Sequence, residues 1–307
     1  MDKKKKIIFM GTPSYATVIF EKLLENDYKI VALFTQPDKP VGRKQILTPP
    51  HIKEFCLECG LSLPIYQPNS LKSVESVDII KKIDPDIIIV AAYGQILPKE
   101  ILDIAPCINL HASLLPKYRG ASPIQEAILN DDNYTGVTSM LMDVGLDSGD
   151  ILGWKYCKIE QDITVDILFD KLANLAALLT LETLENFENI KPKKQNKALV
   201  SHCSKIVKND GIIEFNDAKE IYQKYKAYKF WPGIALLSGL KIKECKIKEI
   251  ESVNKKGKIL DITTDTVVVG CTKGSLVLSM LQPPSKKSMK AVDYLRGSRL
   301  GIQDIIN

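Results

Sequence analysis

Residues 107–130 have the sequence CINLHASLLPKYRGASPIQEAILN, and the rest of the chain is organised around this stretch. Residues 86–98 precede it with DIIIVAAYGQILP, a continuous apolar run that is typical of a strand buried on both faces. Asn109 and His111 lie two residues apart in the next apolar run, so both side chains project from one face of a strand. A carboxamide and an imidazole at a strand end can stabilise a carbonyl oxygen as it becomes an oxyanion.

The remainder of this stretch predicts a turn followed by a helix. Pro116 cannot donate to a strand ladder, so strand pairing ends before it, and Gly120 allows a tight turn. Ser122, Pro123 and Gln125 suit the N-cap, N1 and N3 positions of a helix. The polar pair is therefore expected where a buried strand gives way to a loop.

A second loop, residues 142–152 with the sequence MDVGLDSGDIL, supplies Asp147. A carboxylate at this position can orient His111 or take part in proton transfer. The alternative is an aspartate that only caps a turn or a helix. Single Asn and His residues are likewise more often turn formers or packed histidines, so the residue pattern leaves both interpretations open.

Strand and helix patterns alternate from the N-terminus onward. Residues 6–10 predict a strand that ends at Gly11, residues 15–26 a helix, and residues 30–34 a second strand. This alternation predicts an α/β domain, with a Rossmann-like, mostly parallel sheet and helices on both faces. The turn after the first strand reads GTPSYA and not GxGxxG, so a dinucleotide-dependent oxidoreductase is a weak alternative and NAD is not expected.

Residues 35–50, TQPDKPVGRKQILTPP, predict a long loop, because their prolines exclude a helix or a central strand. A loop of this length in a compact domain is usually functional or mobile. Beyond residue 207 the pattern changes to one helix, several short strand-like runs and a terminal helix. This part predicts a small antiparallel barrel. We therefore expect a catalytic domain over residues 1–188, a linker over 189–206 and a C-terminal domain over 207–307.

Charge is distributed unevenly along the chain, which carries a formal net charge of +5. Residues 207–307 contain 18 Lys and Arg against 11 Asp and Glu, or +7, and the remaining residues are therefore at −2. A basic C-terminal part suggests a polyanionic partner. The alternative is a set of solvated lysines that bind no partner.

Composition narrows the class of protein further. No apolar run approaches the roughly 18 residues that a membrane span requires, so we expect a cytoplasmic protein without a membrane partner. The seven cysteines fit reduced thiols. Cys56 and Cys59 form one CxxC, but a zinc site needs two further ligands that the sequence does not supply, so no metal is expected.

Asn109, His111 and Asp147, within NLHASLLPKYRGASPIQ and MDVGLDSGD, resemble the motif of the folate-dependent formyltransferases. The resemblance runs from KIIFMGTPSYA near the start, through TQPDKPVGR and AAYGQILP, to LSMLQPPSKKSM near the end. Two residues depart from the family pattern. Ala112 follows the histidine where the family commonly has Gly, and Lys44 follows the loop arginine where many members have Gly.

The resemblance implies formyl transfer from 10-formyltetrahydrofolate to the α-amine of the methionine on initiator methionyl-tRNA, for initiation of translation. It implies that Asn109, His111 and Asp147 are catalytic and that the C-terminal domain is an OB-like β-barrel that binds tRNA. The protein is expected to be a monomer. The implied folate-binding residues are Gln95, Ile96, Leu97, Ser113, Leu114, Leu115, Pro116, Asp143 and Val144. The implied tRNA-binding residues are Lys39, Arg43, Lys44, Lys205 and Lys208.

Two alternative functions share parts of this pattern. A formyltransferase that acts on a small amine, such as glycinamide ribonucleotide or an amino sugar, would share Asn109, His111 and Asp147 but would need neither the arginine loop nor a basic second domain. A nucleic-acid-binding module with a degenerate enzyme domain would share the basic domain. The presence of all three polar residues argues against the second alternative.

Overall fold

The computed structural model describes residues 4–42 and 44–307, which fall into two compact units. The first unit comprises the chain up to residue 123 together with residues 134–158 and 168–203. The second comprises residues 124–133, 159–167 and 204–307. The predicted division of the chain at residues 188 and 206 stays a prediction.

A seven-stranded sheet forms the centre of the first unit. The strands of this unit are β1 (Ile7–Gly11), β2 (Ile30–Phe34), β3 (Lys39–Val41), β4 (Ile46–Thr48), β5 (Ile65–Tyr66), β6 (Ile87–Ala91), β7 (Cys107–His111), β8 (Arg119–Gly120), β9 (Tyr134–Leu141), β10 (Ile151–Lys158) and β11 (His202–Cys203). The order across the large sheet is β10-β9-β7-β6-β1-β2-β5. β5, β2, β1, β6 and β7 run parallel. β9 pairs with β7 in antiparallel fashion, and β10 pairs with β9 in the same way at the edge of the sheet.

The apolar runs of the sequence form the middle of this sheet. Every residue of β1, β6 and β7 is buried, as expected for parallel strands that are covered on both faces. The helices of the chain are α1 (Ser14–Glu25), α2 (His51–Glu58), α3 (Val74–Ile83), α4 (Lys99–Leu102), α5 (Pro123–Leu129), α6 (Val165–Asn186), α7 (Ala218–Ala227) and α8 (Ala291–Ser298). The predicted α/β class, with a mostly parallel sheet flanked by helices, is confirmed.

The segment predicted as a loop over residues 35–50 contains a short hairpin. β3 and β4 pair in antiparallel fashion, and Pro40 lies opposite Leu47. A proline is tolerated here because a two-stranded ribbon leaves one side of each strand unpaired. Lys39 and Lys44 are exposed, and Arg43, the predicted tRNA-binding arginine of this segment, lies outside the described residues.

The second unit is built on an antiparallel sheet. Its strands are β12 (Ile234–Ala235), β13 (Lys241–Glu249), β14 (Ile259–Ile262), β15 (Val267–Gly270), β16 (Ser275–Gln282) and β17 (Met289–Lys290). The order is β12-β13-β16-β15-β14, and β17 also pairs with β16. The core of this unit is aliphatic, since Val267, Val269, Leu276 and Leu278 are fully buried. In the part of the chain that the structure describes, no helix is long and apolar enough to cross a membrane.

Candidate active site

Asn109 and His111 lie in the last three residues of β7, and both side chains are buried, with 9% and 7% of their surface exposed. Strand pairing fixes their positions on both sides. Asn109 lies between Val90 of β6 and Met140 of β9, and His111 pairs with Thr138. Because the period of a strand is two residues, the two side chains project from the same face, and both approach one carboxylate.

That carboxylate belongs to Asp147. Its Oδ2 accepts a hydrogen bond from the backbone amide of Gly120 at 2.8 Å, and its Oδ1 accepts one from Nδ2 of Asn109 at 3.4 Å. Nδ1 of His111 lies 3.8 Å from Oδ2. The structure therefore brings together the three residues that the sequence singled out, and it adds the amide of Gly120.

Gly120 is required at its position by backbone geometry. Its φ is +123°, and a Cβ atom built on it would lie 2.1 Å from the carbonyl oxygen of Cys203. The close approach arises because β8 and β11 pair in parallel, with Gly120 opposite Cys203. A side chain here would displace the amide that holds Asp147.

His111 is held by its other nitrogen. Nε2 lies 2.9 Å from the carbonyl oxygen of Tyr118, and because a carbonyl only accepts, Nε2 carries a hydrogen. Nδ1 is then the nitrogen that faces Asp147. The hydrogen bond from Nε2 therefore orients the ring and leaves Nδ1 directed at the carboxylate.

The turn that follows β7 is held rigidly from β9. The hydroxyl of Thr138, which is fully buried, donates to the carbonyl oxygen of Ser113 at 2.6 Å and accepts from the amide of Leu115 at 2.9 Å. Oγ of Ser113 donates to the carbonyl oxygen of Lys117 at 2.5 Å. Of the predicted folate-binding residues in this turn, Ser113 and Leu115 are buried, and Leu114 and Pro116 are half-buried.

The predicted folate-binding residues outside this turn have varied surroundings. Oε1 of Gln95 accepts from the amide of Leu71, and its Nε2 donates to the carbonyl oxygen of Pro68, each at 2.9 Å. Leu97 is buried, whereas Ile96 and Val144 are 69% and 66% exposed. Oδ1 of Asp143 accepts from the amide of Val144 at 2.7 Å. The side chain of Gln95 thus shapes its own loop, and the large apolar side chains that remain uncovered are those of Ile96 and Val144.

The predicted tRNA-binding lysines are surface residues. Lys39 and Lys44 belong to the hairpin segment of the first unit, and Lys205 and Lys208 to the second unit, and all four are exposed. Their exposure leaves the ammonium groups accessible to a polyanion. No described residues form a group of three or more His, Cys, Asp or Glu placed to hold a metal ion.

Sequence reasoning missed Gln195, which lies in the segment predicted as a linker. Its carboxamide contacts both the Asp147 loop and Arg119. The surrounding sequence KPKKQNK is lysine-rich and carries no apolar pattern, so nothing local distinguishes this glutamine. Arg119 lies in the stretch PKYRG of the motif. Its partner Gln195 lies 76 residues further along the chain, and no sequence pattern connects the two.

Comparison with protein families identifies the class of protein. Residues 5–184 match the family described as "Formyl transferase", and residues 205–299 match "Formyl transferase, C-terminal domain". Because the first match spans more than half of the chain, the chain belongs to the formyl transferase family. It is therefore a one-carbon group transferase, as the sequence resemblance predicted, and not a dinucleotide-dependent oxidoreductase.

Curated relatives are similar over almost the whole chain. The methionyl-tRNA formyltransferase of a Nitratiruptor species is 56% identical over 299 residues, which cover 97% of this chain and 99% of the relative. The methionyl-tRNA formyltransferase of Sulfurimonas denitrificans is 54% identical over 303 residues, which cover 98% of this chain and 100% of the relative. The similarity therefore includes both units and not the catalytic part alone.

Solved structures share the fold at lower identity. HypX from Aquifex aeolicus in complex with tetrahydrofolic acid has a TM-score of 0.65 at 16% identity and covers 99% of this chain and 49% of its own. An N-formyltransferase from Helicobacter canadensis, in complex with folinic acid and dTDP-3-aminofucose, has a TM-score of 0.67 at 19% identity and covers 91% of this chain and 100% of its own. At these identities the likeness concerns the fold.

Proposed function

We propose that this protein transfers the formyl group of 10-formyltetrahydrofolate to the α-amino group of the methionine on initiator methionyl-tRNA, and that it does so in the cytoplasm as a monomer. The observation that carries the proposal is the 56% identity to a methionyl-tRNA formyltransferase across 97% of this chain. This similarity extends over the basic C-terminal part of the chain, which an enzyme acting on a small amine would not need.

In the proposed reaction, the neutral amine attacks the formyl carbon, a new N–C bond forms, and the bond from that carbon to the folate nitrogen breaks. Negative charge collects on the formyl oxygen in between. Asn109 directs one N–H of its carboxamide towards Asp147, which leaves the other N–H for this oxygen. His111 donates from Nδ1 when the ring is protonated. One donor of this kind typically lowers a barrier by about 3 kcal/mol.

Asp147 is proposed to set the charge and position of His111. Its carboxylate lies 3.8 Å from Nδ1, close enough to stabilise a positive imidazole but too far for a hydrogen bond. The attacking nitrogen becomes positively charged in the tetrahedral intermediate and loses a proton, and the departing folate nitrogen gains one. Both protons are proposed to pass close to this pair.

The folate site is proposed to lie on the loops at residues 93–98, 113–116 and 142–144. The residues present fit the apolar faces of a flat heterocycle, because the side chains of Ile96 and Val144 offer uncovered apolar surface. When bound, the folate supplies the activated formyl group. The protein positions that group and receives its developing charge.

The tRNA is proposed to contact both units. Lys39, Arg43 and Lys44 would meet the acceptor end, and Lys205 and Lys208 would meet the backbone further along. In the second unit, Lys241, Lys243, Lys246 and Lys248 form an exposed row on β13. Among the residues that the structure describes, this row makes no ion pair, so all four charges are available to phosphates.

One assay tests the proposal against the small-amine alternative. The protein is incubated with 10-formyltetrahydrofolate and, separately, with charged initiator tRNA, glycinamide ribonucleotide or a dTDP-amino sugar. We expect formyl-methionyl-tRNA from the first mixture, at a kcat/KM far above those of the other two. Formylation of a small amine with none of the charged tRNA would overturn the proposal.

A further inference from the structure

The carboxamide of Gln195 makes four hydrogen bonds that join two loops of the first unit. Nε2 donates to the carbonyl oxygens of Asp147 and Gly149, both at 2.8 Å. Oε1 accepts from Nη2 of Arg119 at 2.7 Å and from Nε of the same residue at 3.1 Å. Both hydrogens of the amide and both lone pairs of its oxygen are therefore used.

The backbone that carries Gln195 is fixed on both sides. Lys193 and Ile151 exchange two backbone hydrogen bonds of 2.8 Å each, and the carbonyl oxygen of Ser201 accepts from the amide of Arg119 at 2.9 Å. Within the described stretch 191–199, Gln195 alone is not exposed. The side chain thus extends inward from an anchored segment, and its position relative to the Asp147 loop is defined.

Asp147 needs such external support because its backbone is in the left-handed region, with φ at +47°. Aspartate enters this region more easily than most residues, but an unsupported loop has other conformations that are more favourable. Gly149, the second residue held by Gln195, packs so closely that a Cβ atom on it would lie 1.7 Å from the carbonyl oxygen of Leu141. The loop is therefore fixed on one side by packing against the end of β9 and on the other by the hydrogen bonds from Gln195. These contacts define the position from which the carboxylate of Asp147 extends.

The chemistry of the contact explains why this residue is a glutamine. Glutamate would keep the acceptors for Arg119 but would place oxygen against two carbonyl oxygens. Lysine or arginine would keep the donors but would repel Arg119. Asparagine carries the same group on a side chain shorter by one methylene. A glutamine at this position therefore satisfies both loops together.

We infer that Gln195 is a positioning residue for the reaction: through the carbonyl oxygens of Asp147 and Gly149, with Arg119 orienting its amide, it holds the carboxylate of Asp147 against Gly120 and beside His111. The inference rests on the proposed function in one respect, namely that Asp147 assists His111 during formyl transfer. The hydrogen bond from the amide of Gly120 to Oδ2 of Asp147 reports the same placement without any reaction.

The test compares three substitutions in the full-length protein. Gln195→Glu keeps the acceptors for Arg119 and loses the donors, Gln195→Met loses both, and Asn196→Asp makes the same amide-to-carboxylate change at the next residue. Asn196 is exposed and its Oδ1 accepts from the amide of Ala198, a role that aspartate retains. Each variant is measured for kcat and KM with both substrates, for hydrogen exchange at the Gly120 amide, and for its melting temperature.

We expect Gln195→Glu to lower kcat by roughly tenfold to a hundredfold, as small displacements of a catalytic group do. Both KM values should change by less than about threefold, since uniform substrate binding is not involved. Hydrogen exchange at Gly120 should accelerate, while Asn196→Asp behaves as wild type. Gln195→Met should also lose activity and serves as the second variant if the glutamate proves too disruptive to fold.

A role limited to anchoring residues 193–203 through Arg119 gives a different result. Gln195→Glu would then retain activity, because a carboxylate binds the guanidinium more strongly, and Gln195→Met alone would be impaired. That pattern overturns the inference, and so does faster exchange at Gly120 with unchanged kcat. If the wild-type protein formylates no tRNA while exchange at Gly120 still depends on Gln195, the proposed function fails and the placement of Asp147 stands.

Discussion

Nδ1 of His111 and Oδ2 of Asp147 lie 3.8 Å apart, and that oxygen already accepts a hydrogen bond from the amide of Gly120. The carboxylate is therefore placed by the backbone and not by the imidazole beside it. The imidazole is in turn held through Nε2, which donates to the carbonyl oxygen of Tyr118, so each group of the pair has its own backbone partner.

His111→Ala and Asn109→Ala should each lower kcat by roughly a hundredfold or more, because each removes one of the two proposed donors to the developing oxyanion. The KM for the folate should change little, since both groups are proposed to act on the charge that develops in the transition state and not on the bound ground state. Steady-state kinetics with charged initiator tRNA measure both constants. His202→Ala, which removes an exposed imidazole, is the matched control. Rates within about threefold of wild type would exclude either residue from the chemistry.

Asp147→Asn should fold normally and react slowly. The amide oxygen of an asparagine can still accept from the Gly120 amide, so the loop keeps its main contact while the negative charge is lost. Without that charge the positive imidazole proposed for the reaction is less stable, so kcat should fall in steady-state kinetics. Full activity would indicate that Asp147 only shapes the turn.

The lysine row on β13 should contribute to tRNA affinity by neutralising phosphates. Lys243, Lys246 and Lys248, all changed to Gln, should weaken tRNA binding and flatten its dependence on salt. On a duplex, the log–log slope should fall by about 0.9 for each phosphate that the variant no longer neutralises. Binding isotherms at several salt concentrations measure both effects.

The control for this set removes three lysines of the second unit that already have acidic partners. Lys219, Lys256 and Lys290 pair with Asp131, Glu214 and Asp265 at 2.6, 3.1 and 2.8 Å. Changing these three to Gln alters the net charge equally. A loss of affinity as large as that of the β13 set would mean that only total charge matters, and the proposed row would be wrong.

The base of the hairpin β3–β4 should loosen in acid. Hydrogen bonds from Gln67 at 2.7 Å and from Lys53 at 2.9 Å lower the pKa of Asp38, in that order of importance. The pKa of Asp38 in the folded protein is therefore below its unfolded value of about 3.9. The stabilisation that the ionised carboxylate gives is fully present above the unfolded pKa. It is lost as the pH falls through the lowered, folded pKa. Hydrogen exchange of the hairpin amides across this range measures the change.

The same contact can be checked at neutral pH with Lys53→Met, which removes the ion pair with Asp38 while the methylenes still pack. The hairpin should loosen in this variant, and limited proteolysis within residues 35–50 reports the difference. Lys22→Met, which breaks an exposed pair with Glu25, is the control. Equal cleavage of both variants would show that Lys53 does not hold the hairpin.

Arg43→Ala should raise the KM for charged tRNA or lower kcat, and the KM for the folate should remain close to wild type. Arg43 lies in a proline-rich stretch with few large apolar side chains, and a guanidinium offers paired contacts to a phosphate or a guanine edge that a lysine cannot copy. Arg43→Lys should therefore rescue only part of the loss. Wild-type kinetics for Arg43→Ala would leave the tRNA assignment to the C-terminal domain.

Local patterns predicted much of this fold and site. The burial of β1, β6 and β7 follows from continuous apolar runs, and the convergence of Asn109 and His111 follows from the period of a strand. α3 begins at Val74, because Ser73 caps the helix by accepting from the amide of Ser76.

What the sequence did not predict depends on contacts between distant residues. The side chain of Gln95 is turned towards Pro68 and Leu71, and Gln195 towards Arg119 and Asp147. A glutamine carries no periodic signal, so its partners are known only once the chain has folded. The hairpin β3–β4 was not predicted, because prolines argue against a central strand. Pro40 is compatible with this hairpin only because β3 pairs with β4 alone, which the sequence pattern does not show.

The pairing of β8 with β11 has a consequence for how the protein is made. Translation proceeds from the N-terminus, so Asn109, His111 and Asp147 all leave the ribosome before Gln195 and Cys203 exist. A nascent chain that ends shortly after α6 would contain the three polar residues and the whole large sheet, yet the loop of Asp147 would lack the segment that holds it. Competence for the reaction should therefore arise late in synthesis, when residues 193–203 emerge.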